Sequence, residues 1–509
     1  MNNILPFLPL GIIITFAIAI MLMEVLIEGR KQILAYVSIG GIILSALTTV
    51  FLWNNNETPF RASFFSDMFV VDNYSLYFYL IFLLSAGVTA FISPSYLQKE
   101  SMEHGEYYSL MLFSVSGMML MASGGDLLTL FLGLEIMTIA VYVLVGFKRY
   151  DLKSNEAILK YFFLGAFSAG FILYGIALIY GACESTNLLE IKRAIGSEGF
   201  DNTNLSMIGI LLMMVGIFFK VGAAPFHIWI PDVYEGAPAP VTGFMITAVK
   251  AASFAMFLKL FFISFAALGD YWRDIILVVA IVTMFVGNIF AFTQENIKRM
   301  LAYSSVAHTG YLLIGIAALG SSAGSGDMLS TFSSNSEAAN AILYYLAAYS
   351  VSSLGIFACI AYLSQRNEDF ATIKDYAGLG FKYPLIGLAM TIFMLSLIGV
   401  PPTGGFFGKY YLFSAAIKQG LYIPVIIALI NSMLSIYYYL KVIITMYMKD
   451  PEQEFVFKDN TGNISTRLVL VYTLVATVWL GLGTFTLFSI IPGSTPVMEW
   501  TRTSISSLF

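Results

Sequence analysis

Six lysines lie within long apolar stretches of the sequence, where a charged side chain is costly. A lysine at the centre of a membrane-spanning helix costs about 3 kcal/mol. Such a lysine must be paired or hydrated, and its amine can take up and release a proton. These residue types therefore indicate proton transfer inside a membrane. The six are Lys160, Lys220, Lys250, Lys259, Lys409 and Lys441.

Three of these lysines, Lys220, Lys250 and Lys409, lie near the middle of their stretches and are the strongest candidates for this chemistry. Glu135 is also central in its own stretch, DLLTLFLGLE. A lone buried carboxylate would take up a proton and become neutral. We therefore expect Glu135 to pair with one of the buried lysines.

The other three lysines lie near the ends of their stretches, where a long side chain can reach the membrane surface. For Lys160 and Lys441, snorkelling to that surface and a role in proton transfer both remain open. For Lys259, near the outer end of its helix, we expect snorkelling.

Proline and glycine interrupt the helices that carry two of the central lysines. Lys220 lies in FFKVGAAPFH, and Lys409 follows GVPPTGGFFG. Proline removes a helix donor and its ring clashes with the preceding turn. Broken helices at membrane depth are tolerated where they are buried in protein or line a wet cavity. We predict that each lysine lies beside backbone carbonyls freed by its break.

The composition excludes most soluble proteins. The chain has 509 residues, of which 58% are hydrophobic and 11% charged, with a net charge of -5. Soluble domains carry about 25% charged residues, and nucleic-acid binders need dense lysine and arginine. We predict an all-α polytopic membrane protein of about fourteen spans. They are 4–26, 33–53, 73–95, 106–123, 125–146, 155–182, 204–230, 238–263, 274–292, 297–317, 338–363, 384–416, 420–448 and 467–492.

Positive charge in the loops predicts the orientation. Fourteen basic residues follow odd-numbered spans: Arg30, Lys31, Lys99, Lys148, Arg149, Lys153, Lys298, Arg299, Arg366, Lys374, Lys382, Lys449, Lys458 and Arg467. Six lie on the opposite side: Arg61, Lys192, Arg193, Arg273, Lys418 and Arg502. The odd-span loops should therefore face the cytoplasm and both termini the outside.

The spacing of lysines and breaks predicts an internal repeat within a single membrane domain, 1–509. Each repeat has a broken helix followed by another helix, and the lysine pairs Lys220–Lys250 and Lys409–Lys441 are similarly spaced. Spans 4–8 and 9–13 form two five-helix units, and an odd number of spans inverts the second. The predicted parts are 1–105 (spans 1–3), 106–263 (first repeat), 274–448 (second repeat) and 467–492 (last span).

The chain has no recognisable site of its own for a metal or redox cofactor. Its two cysteines, Cys183 and Cys359, are far apart, so iron–sulfur and zinc sites are not expected. Neither a dinucleotide-binding nor a phosphate-binding glycine motif is found. Proton transfer must therefore come from ionisable side chains.

Five stretches closely resemble the N-type subunit family of bacterial respiratory NADH:quinone oxidoreductase (complex I). The N type is indicated by two stretches, PDVYEGAPAPVT and PPTGGFFGKYYLF. The related L- and M-type subunits and the multisubunit cation/proton antiporters tend to have Asp-Ala-His after the Pro-Asp. The resemblance covers almost the whole chain. The stretches are DLLTLFLGLE (126–135), EAILKYFFLGAFSAG (156–170), FKVGAAPFHIWIPDVYEGAPAPVTGF (219–244), QENIKRMLAYSSVAHTGY (294–311) and GVPPTGGFFGKYYLF (399–413).

The resemblance implies a role for each of five residues. Glu135 matches the carboxylate that pairs with a broken-helix lysine, here Lys220. Lys160 matches a lysine near the side where protons enter, Lys250 the central relay lysine, and Lys409 the group near the exit to the outside. Opening of the Glu135–Lys220 pair would change the field at Lys250 and send its proton through water towards Lys409.

The resemblance also implies the surroundings of the chain. Flavin mononucleotide, iron–sulfur clusters and quinone are expected in partner subunits, and none of them in this chain. The expected partners are K- and M-type neighbours, the lateral helix of the L-type subunit, and lipid of the bacterial inner membrane, without nucleic acid. Two alternatives remain open: a subunit of a multisubunit sodium/proton antiporter, and a structural subunit that conducts nothing.

Overall fold

A computed structural model describes most of the chain as packed helices. It covers residues 4–26, 31–55, 59–197, 199–320, 328–364, 371–451, 464–482 and 493–508, with side chains except at 328–334 and 464. Three basic residues used to predict the orientation, Arg30, Arg366 and Lys458, lie outside the described residues. So does the end of the last predicted span, from residue 483 to 492.

Twenty α-helices account for nearly all of the described chain, and several are joined by short 3-10 or π segments. Three 3-10 helices are Leu5–Phe7, Ala266–Leu268 and Ile373–Tyr376, and two π segments are Met245–Val249 and Leu260–Ser264. The α-helices are α1 (Leu8–Leu26), α2 (Gln32–Asn55), α3 (Asn73–Lys99), α4 (Glu106–Ser123), α5 (Leu127–Val145), α6 (Leu152–Cys183), α7 (Leu188–Ile195), α8 (Thr203–Val221), α9 (Trp229–Gly236), α10 (Ala239–Phe244), α11 (Lys250–Lys259), α12 (Gly269–Phe292), α13 (Ile297–Leu319), α14 (Met328–Leu363), α15 (Leu379–Lys382), α16 (Pro384–Ile398), α17 (Gly404–Lys418), α18 (Tyr422–Met448), α19 (Ile464–Leu480) and α20 (Thr495–Ser506).

The prediction of an all-α protein with about fourteen spans is confirmed. Within the described residues, eleven helices are long and apolar enough to cross a membrane, and one of them joins α10 and α11 as Ala239–Ser264. The three remaining predicted spans correspond to α4, to the broken pair α16–α17, and to α19. Helices 7 and 12 of the predicted series are broken, between α8 and α9 and between α16 and α17.

Three elements do not follow from the apolar pattern. A two-stranded antiparallel hairpin, β1 (Arg61–Phe64) and β2 (Phe69–Asp72), precedes α3. The short helix α7 precedes α8, and α20 packs against α3 and α14 after the last span. Each is too short or too polar to produce the signal of a membrane span.

The two five-helix units share a connection that identifies them as repeats. The residue before α5, Asp126, forms an antiparallel bridge with Asn187 before α7. The residue before α13, Asn296, forms the same bridge with Thr372. Each bridge contains two backbone hydrogen bonds of 2.8–3.0 Å. Five predicted spans lie between Asp126 and Asn296, and this odd number predicts that the two bridges lie at opposite faces of the membrane.

The two helix breaks also share one geometry. Gly222 ends α8 with φ 79°, and Gly399 ends α16 with φ 91°. In both, the glycine N–H and the next N–H bond back to carbonyls of the last helical turn. This left-handed cap suits glycine, which has no Cβ to clash. Gly222 and Gly399 therefore mark equivalent positions in the two repeats.

Candidate proton-transfer site

Lys220 lies in the last turn of α8 and is only 4% exposed. Its Nζ donates to Thr138 Oγ1 of α5 at 3.1 Å and lies 6.0 Å from the centre of the Tyr142 ring. The predicted contact with freed carbonyls is not formed here. The carbonyl of Phe219 instead accepts the indole N–H of Trp229 at 3.1 Å, because α9 folds back over the break.

Glu135 lies one helical turn before Thr138 and interacts with Lys220 electrostatically. Among the described residues, however, the two groups form no direct ion pair. The Oε1 atom of Glu135 is buried without a hydrogen-bond partner in the described chain. Glu135 and Lys220 thus interact electrostatically, while the hydrogen bond of the ammonium goes to Thr138.

Lys250 begins α11 at the centre of the molecule and is 3% exposed. Its Nζ donates to the Ser305 carbonyl at 2.7 Å, to the Ser305 hydroxyl, and to Thr309 Oγ1 at 3.0 Å. Both partners belong to α13, which is in the second repeat. Lys250 thus lies at the seam between the repeats, in contact with uncharged oxygens.

Lys409 lies in α17 and is 6% exposed. Its Nζ donates to the carbonyls of Leu397 and Ile398 at 3.0 and 2.8 Å, and to Ser432 Oγ at 2.9 Å. The two carbonyls end α16 at the break, as the sequence predicts for this lysine. Freed backbone oxygens thus replace a carboxylate as the partner of this ammonium.

His308 is buried on α13, and both Lys250 and Lys409 act on it electrostatically. Its Nδ1 is 2.5 Å from Tyr345 Oη, and its Nε2 is 3.2 Å from Tyr439 Oη. The Lys409 ammonium lies 5.1 Å from the centre of the Tyr311 ring, and that ring contacts the His308 ring. Imidazole and phenol groups can both donate and accept protons. They therefore offer a polar connection between the two lysines.

Neither His308 nor its tyrosines were among the candidates predicted from the sequence. The signal was present in AYSSVAHTGY, because Ser304, Ser305, His308 and Thr309 recur at helical spacing on one side of α13.

Lys160 lies at the membrane face predicted to be cytoplasmic and is only partly buried. Its Nζ pairs with Glu156 at 2.5 Å and with Asp232 at 2.6 Å, and 41% of its side chain is exposed. It is therefore apart from the three central lysines. Lys441 also stays near this face, where its Nζ donates to the Gln294 carbonyl at 3.3 Å.

The prediction that Lys259 snorkels is wrong. Its side chain is buried, and its Nζ donates to the Ala122 carbonyl at 2.8 Å. Asp72, at the start of α3, interacts with it electrostatically. The hairpin and the packed α3 and α4 cover this end of the helix, so the ammonium is met by protein groups and does not reach the surface.

The described residues contain no group of three or more histidine, cysteine or acidic side chains that could hold a metal ion.

Residues 124–435 match the family described as NADH:quinone oxidoreductase/Mrp antiporter, TM. A chain of the Mrp complex from Dietzia sp. DQ12-45-1b has the same fold, with a TM-score of 0.81 at 19% identity over 99% of this chain and 97% of that chain. The class is that of antiporter-like membrane subunits.

Relatives with higher sequence identity identify the family within this class. NADH-quinone oxidoreductase subunit N of Trichlorobacter lovleyi is 45% identical over 469 residues, which is 92% of each chain. A chain of respiratory complex I from Thermus thermophilus with bound aureothin is 32% identical, with a TM-score of 0.76 over 93% of this chain and 97% of that chain. This chain belongs to the NADH-quinone oxidoreductase subunit N family.

Proposed function

We propose that this chain carries protons across the membrane through Lys160, Lys220, Lys250 and Lys409, with Glu135 setting the field at Lys220. The observation that carries the proposal is the presence of three nearly inaccessible ammonium groups, the last two of which both act electrostatically on His308. Keeping three such groups costs several kcal/mol in a bilayer, so a purely structural use is poorly supported.

The proton balance is simple in this scheme. Protons are taken up on the side of Lys160 and reach Lys220, whose charge is stabilised by Glu135. Loss of that interaction favours transfer from Lys220 towards Lys250, which then gives its proton to the His308 group. Lys409 receives it and releases it on the opposite side. Moving one charge against 100 mV needs about 2.3 kcal/mol, which is within the range of one switched short-range interaction.

The same proposal includes the source of energy, the neighbouring subunits and the membrane in which the chain lies. NADH oxidation and quinone reduction take place in partner subunits that hold flavin mononucleotide, iron–sulfur clusters and quinone. K- and M-type subunits and the lateral helix of the L-type subunit are the neighbours. The chain lies in the bacterial inner membrane with its termini outside, and residues 106–263 and 274–448 are its two repeats. The relatives' names and the loop charges support this arrangement.

The sodium/proton antiporter alternative has less support, since the solved Mrp chain is 19% identical to this one, whereas subunit N of Trichlorobacter lovleyi is 45% identical over 92% of the chain. A subunit that only supports its neighbours is the remaining competitor. Replacing Lys220, Lys250 and Lys409 together with alanine in the assembled complex separates the two. A relay predicts loss of the translocation that depends on this chain. Unchanged proton-to-electron ratio in a fully assembled complex would establish the structural alternative.

A further inference from the structure

A group of ion pairs at one membrane face joins the two repeats. We call it the Asp232 network, and its members are Lys153, Glu156, Lys160, Asp232, Glu235 and Arg299. Asp232 is at its centre: Oδ2 accepts from Lys160 of α6 at 2.6 Å, and Oδ1 accepts from Arg299 of α13 at 2.6 Å. One carboxylate therefore binds a cation from each repeat with a different oxygen.

The neighbouring Glu235 strengthens the same connection. It accepts from Arg299 at 3.0 Å and from Lys153 at 2.8 Å. Burial raises the pKa of Asp232, but hydrogen bonds from Lys160 and Arg299 outweigh it and leave that pKa below the ordinary range. The same balance lowers the pKa of Glu235, with Lys153 and Arg299 as its partners. Both carboxylates are thus charged at neutral pH.

The helix that carries Asp232 is attached directly to the Lys220 site. Trp229, the first residue of α9, donates to the carbonyl of Phe219, which adjoins Lys220. Its ring also stacks on Tyr161 of α6 with centroids 4.5 Å apart. A displacement of α9 would therefore move the backbone beside Lys220.

The other partner of Asp232 is attached to the Lys250 site. Arg299 lies in the first turn of α13, and Ser305, which binds Lys250 through two oxygens, follows on the same helix. The rise of about 1.5 Å per residue places them roughly 9 Å apart along the axis. A rigid helix of this length transmits a shift at its start to the oxygens that hold Lys250.

We infer that Asp232 is a positioning residue that keeps the Lys220 and Lys250 sites in register, by fixing α6, α9 and α13 to one another. The inference rests on the proposed proton relay and adds to it a residue that exchanges no proton itself. Glu156 provides a natural comparison, because it also pairs with Lys160 but belongs to the same helix, α6.

The test uses the intact, assembled complex in sealed vesicles. Asp232→Asn is compared with Asp232→Glu and with the control Glu156→Gln. Proton-to-electron ratio, quinone reduction and amide hydrogen exchange of α9 are measured on each. We expect Asp232→Asn to lower the ratio and to accelerate exchange in α9 by up to about fivefold for each ion pair lost, since a part-exposed pair contributes up to ~1 kcal/mol. Asp232→Glu should restore much of the ratio, and Glu156→Gln should retain it.

A normal ratio in Asp232→Asn, or an equal loss in Glu156→Gln, would overturn the inference. If Asp232→Asn does not assemble, Arg299→Gln cuts the same connection from the other repeat and must lower the ratio. Failure of both variants to assemble would make this a folding contact and would also overturn the inference. Lys250→Ala in the same assay distinguishes the two proposals: if it too pumps normally, the relay itself fails.

Discussion

The two repeats have the same backbone frame but hold different charges at equivalent positions. Counting nine residues from the bridged residue before α5 and before α13 gives Glu135 in the first repeat and Ser305 in the second. Counting ten residues from the break glycine gives Asp232 in the first and Lys409 in the second. The shared frame therefore carries side chains with different charges and different surroundings in the two repeats.

The lysines of the two broken helices lie at different distances from the break. Lys220 precedes its break glycine by two residues, whereas Lys409 follows its own by ten, so the two are not equivalent positions. Their partners differ accordingly: a hydroxyl with a carboxylate nearby for Lys220, and freed carbonyls for Lys409. The Lys220 ammonium is thus held by a hydroxyl with a carboxylate nearby, and the Lys409 ammonium is held by the backbone.

The largest expected effect comes from the lysine at the seam of the repeats. Lys250→Ala removes the group that links them and should reduce coupled turnover at least about tenfold, because a positioned proton-transfer group contributes on the order of 10²–10⁴ in rate. Proton uptake and quinone reduction are measured in vesicles. Lys441→Ala, at the membrane face, is the matched control and should stay near the original rate. Equal rates in the two variants would contradict the assignment.

A second test introduces into the second repeat the carboxylate that the first repeat has at Glu135. Ser305→Glu places a carboxylate beside Lys250, where an ion pair at about 4 Å is worth roughly 4 kcal/mol at an effective dielectric constant of 20. The proton should be retained on Lys250, and proton translocation should fall severalfold in assembled complex. Ser305→Thr keeps the hydroxyl and should retain most of the activity. If Ser305→Glu is as active as Ser305→Thr, Lys250 need not lose its proton.

A smaller effect is expected at the carboxylate of the first repeat. Glu135→Gln removes the charge that acts on Lys220. Turnover should slow a few-fold, because the two groups interact over a distance longer than a direct contact. Glu135→Asp keeps the charge and should be milder. Steady-state quinone reduction with a proton gradient present compares them. If Glu135→Asp is as slow as Glu135→Gln, the position of the carboxylate matters more than its charge at this site.

The smallest expected effect concerns the backbone beside Lys220. Trp229→Phe removes the indole N–H from the Phe219 carbonyl, a loss of about 1 kcal/mol. Trp272→Phe removes a similar bond to the Phe265 carbonyl, far from the central lysines. Thermal stability should fall similarly in both, but only Trp229→Phe should lower the proton-to-electron ratio. Identical ratios would show that this carbonyl has no part in positioning Lys220.

The sequence was sufficient for the spans, the two breaks and the burial of the three central lysines, because apolar length, proline and isolated charge are local signals. It was insufficient for partners that come from distant helices. Ser305, whose oxygens accept hydrogen bonds from Lys250, lies in a mostly apolar stretch of sequence. The tyrosines around His308 also lie in mostly apolar stretches. Lys259 was misjudged for the same reason, since the hairpin and helices that cover it are distant in sequence.

The proposed relay requires Lys250 to change its protonation state during turnover. Infrared difference spectroscopy of the intact complex, with isotope-labelled lysine amines and during NADH-driven quinone reduction, measures this directly. We expect an alternating ammonium–amine signal that disappears in Lys250→Ala and persists in Lys441→Ala. A Lys250 signal that stays constant in one form throughout turnover would contradict it.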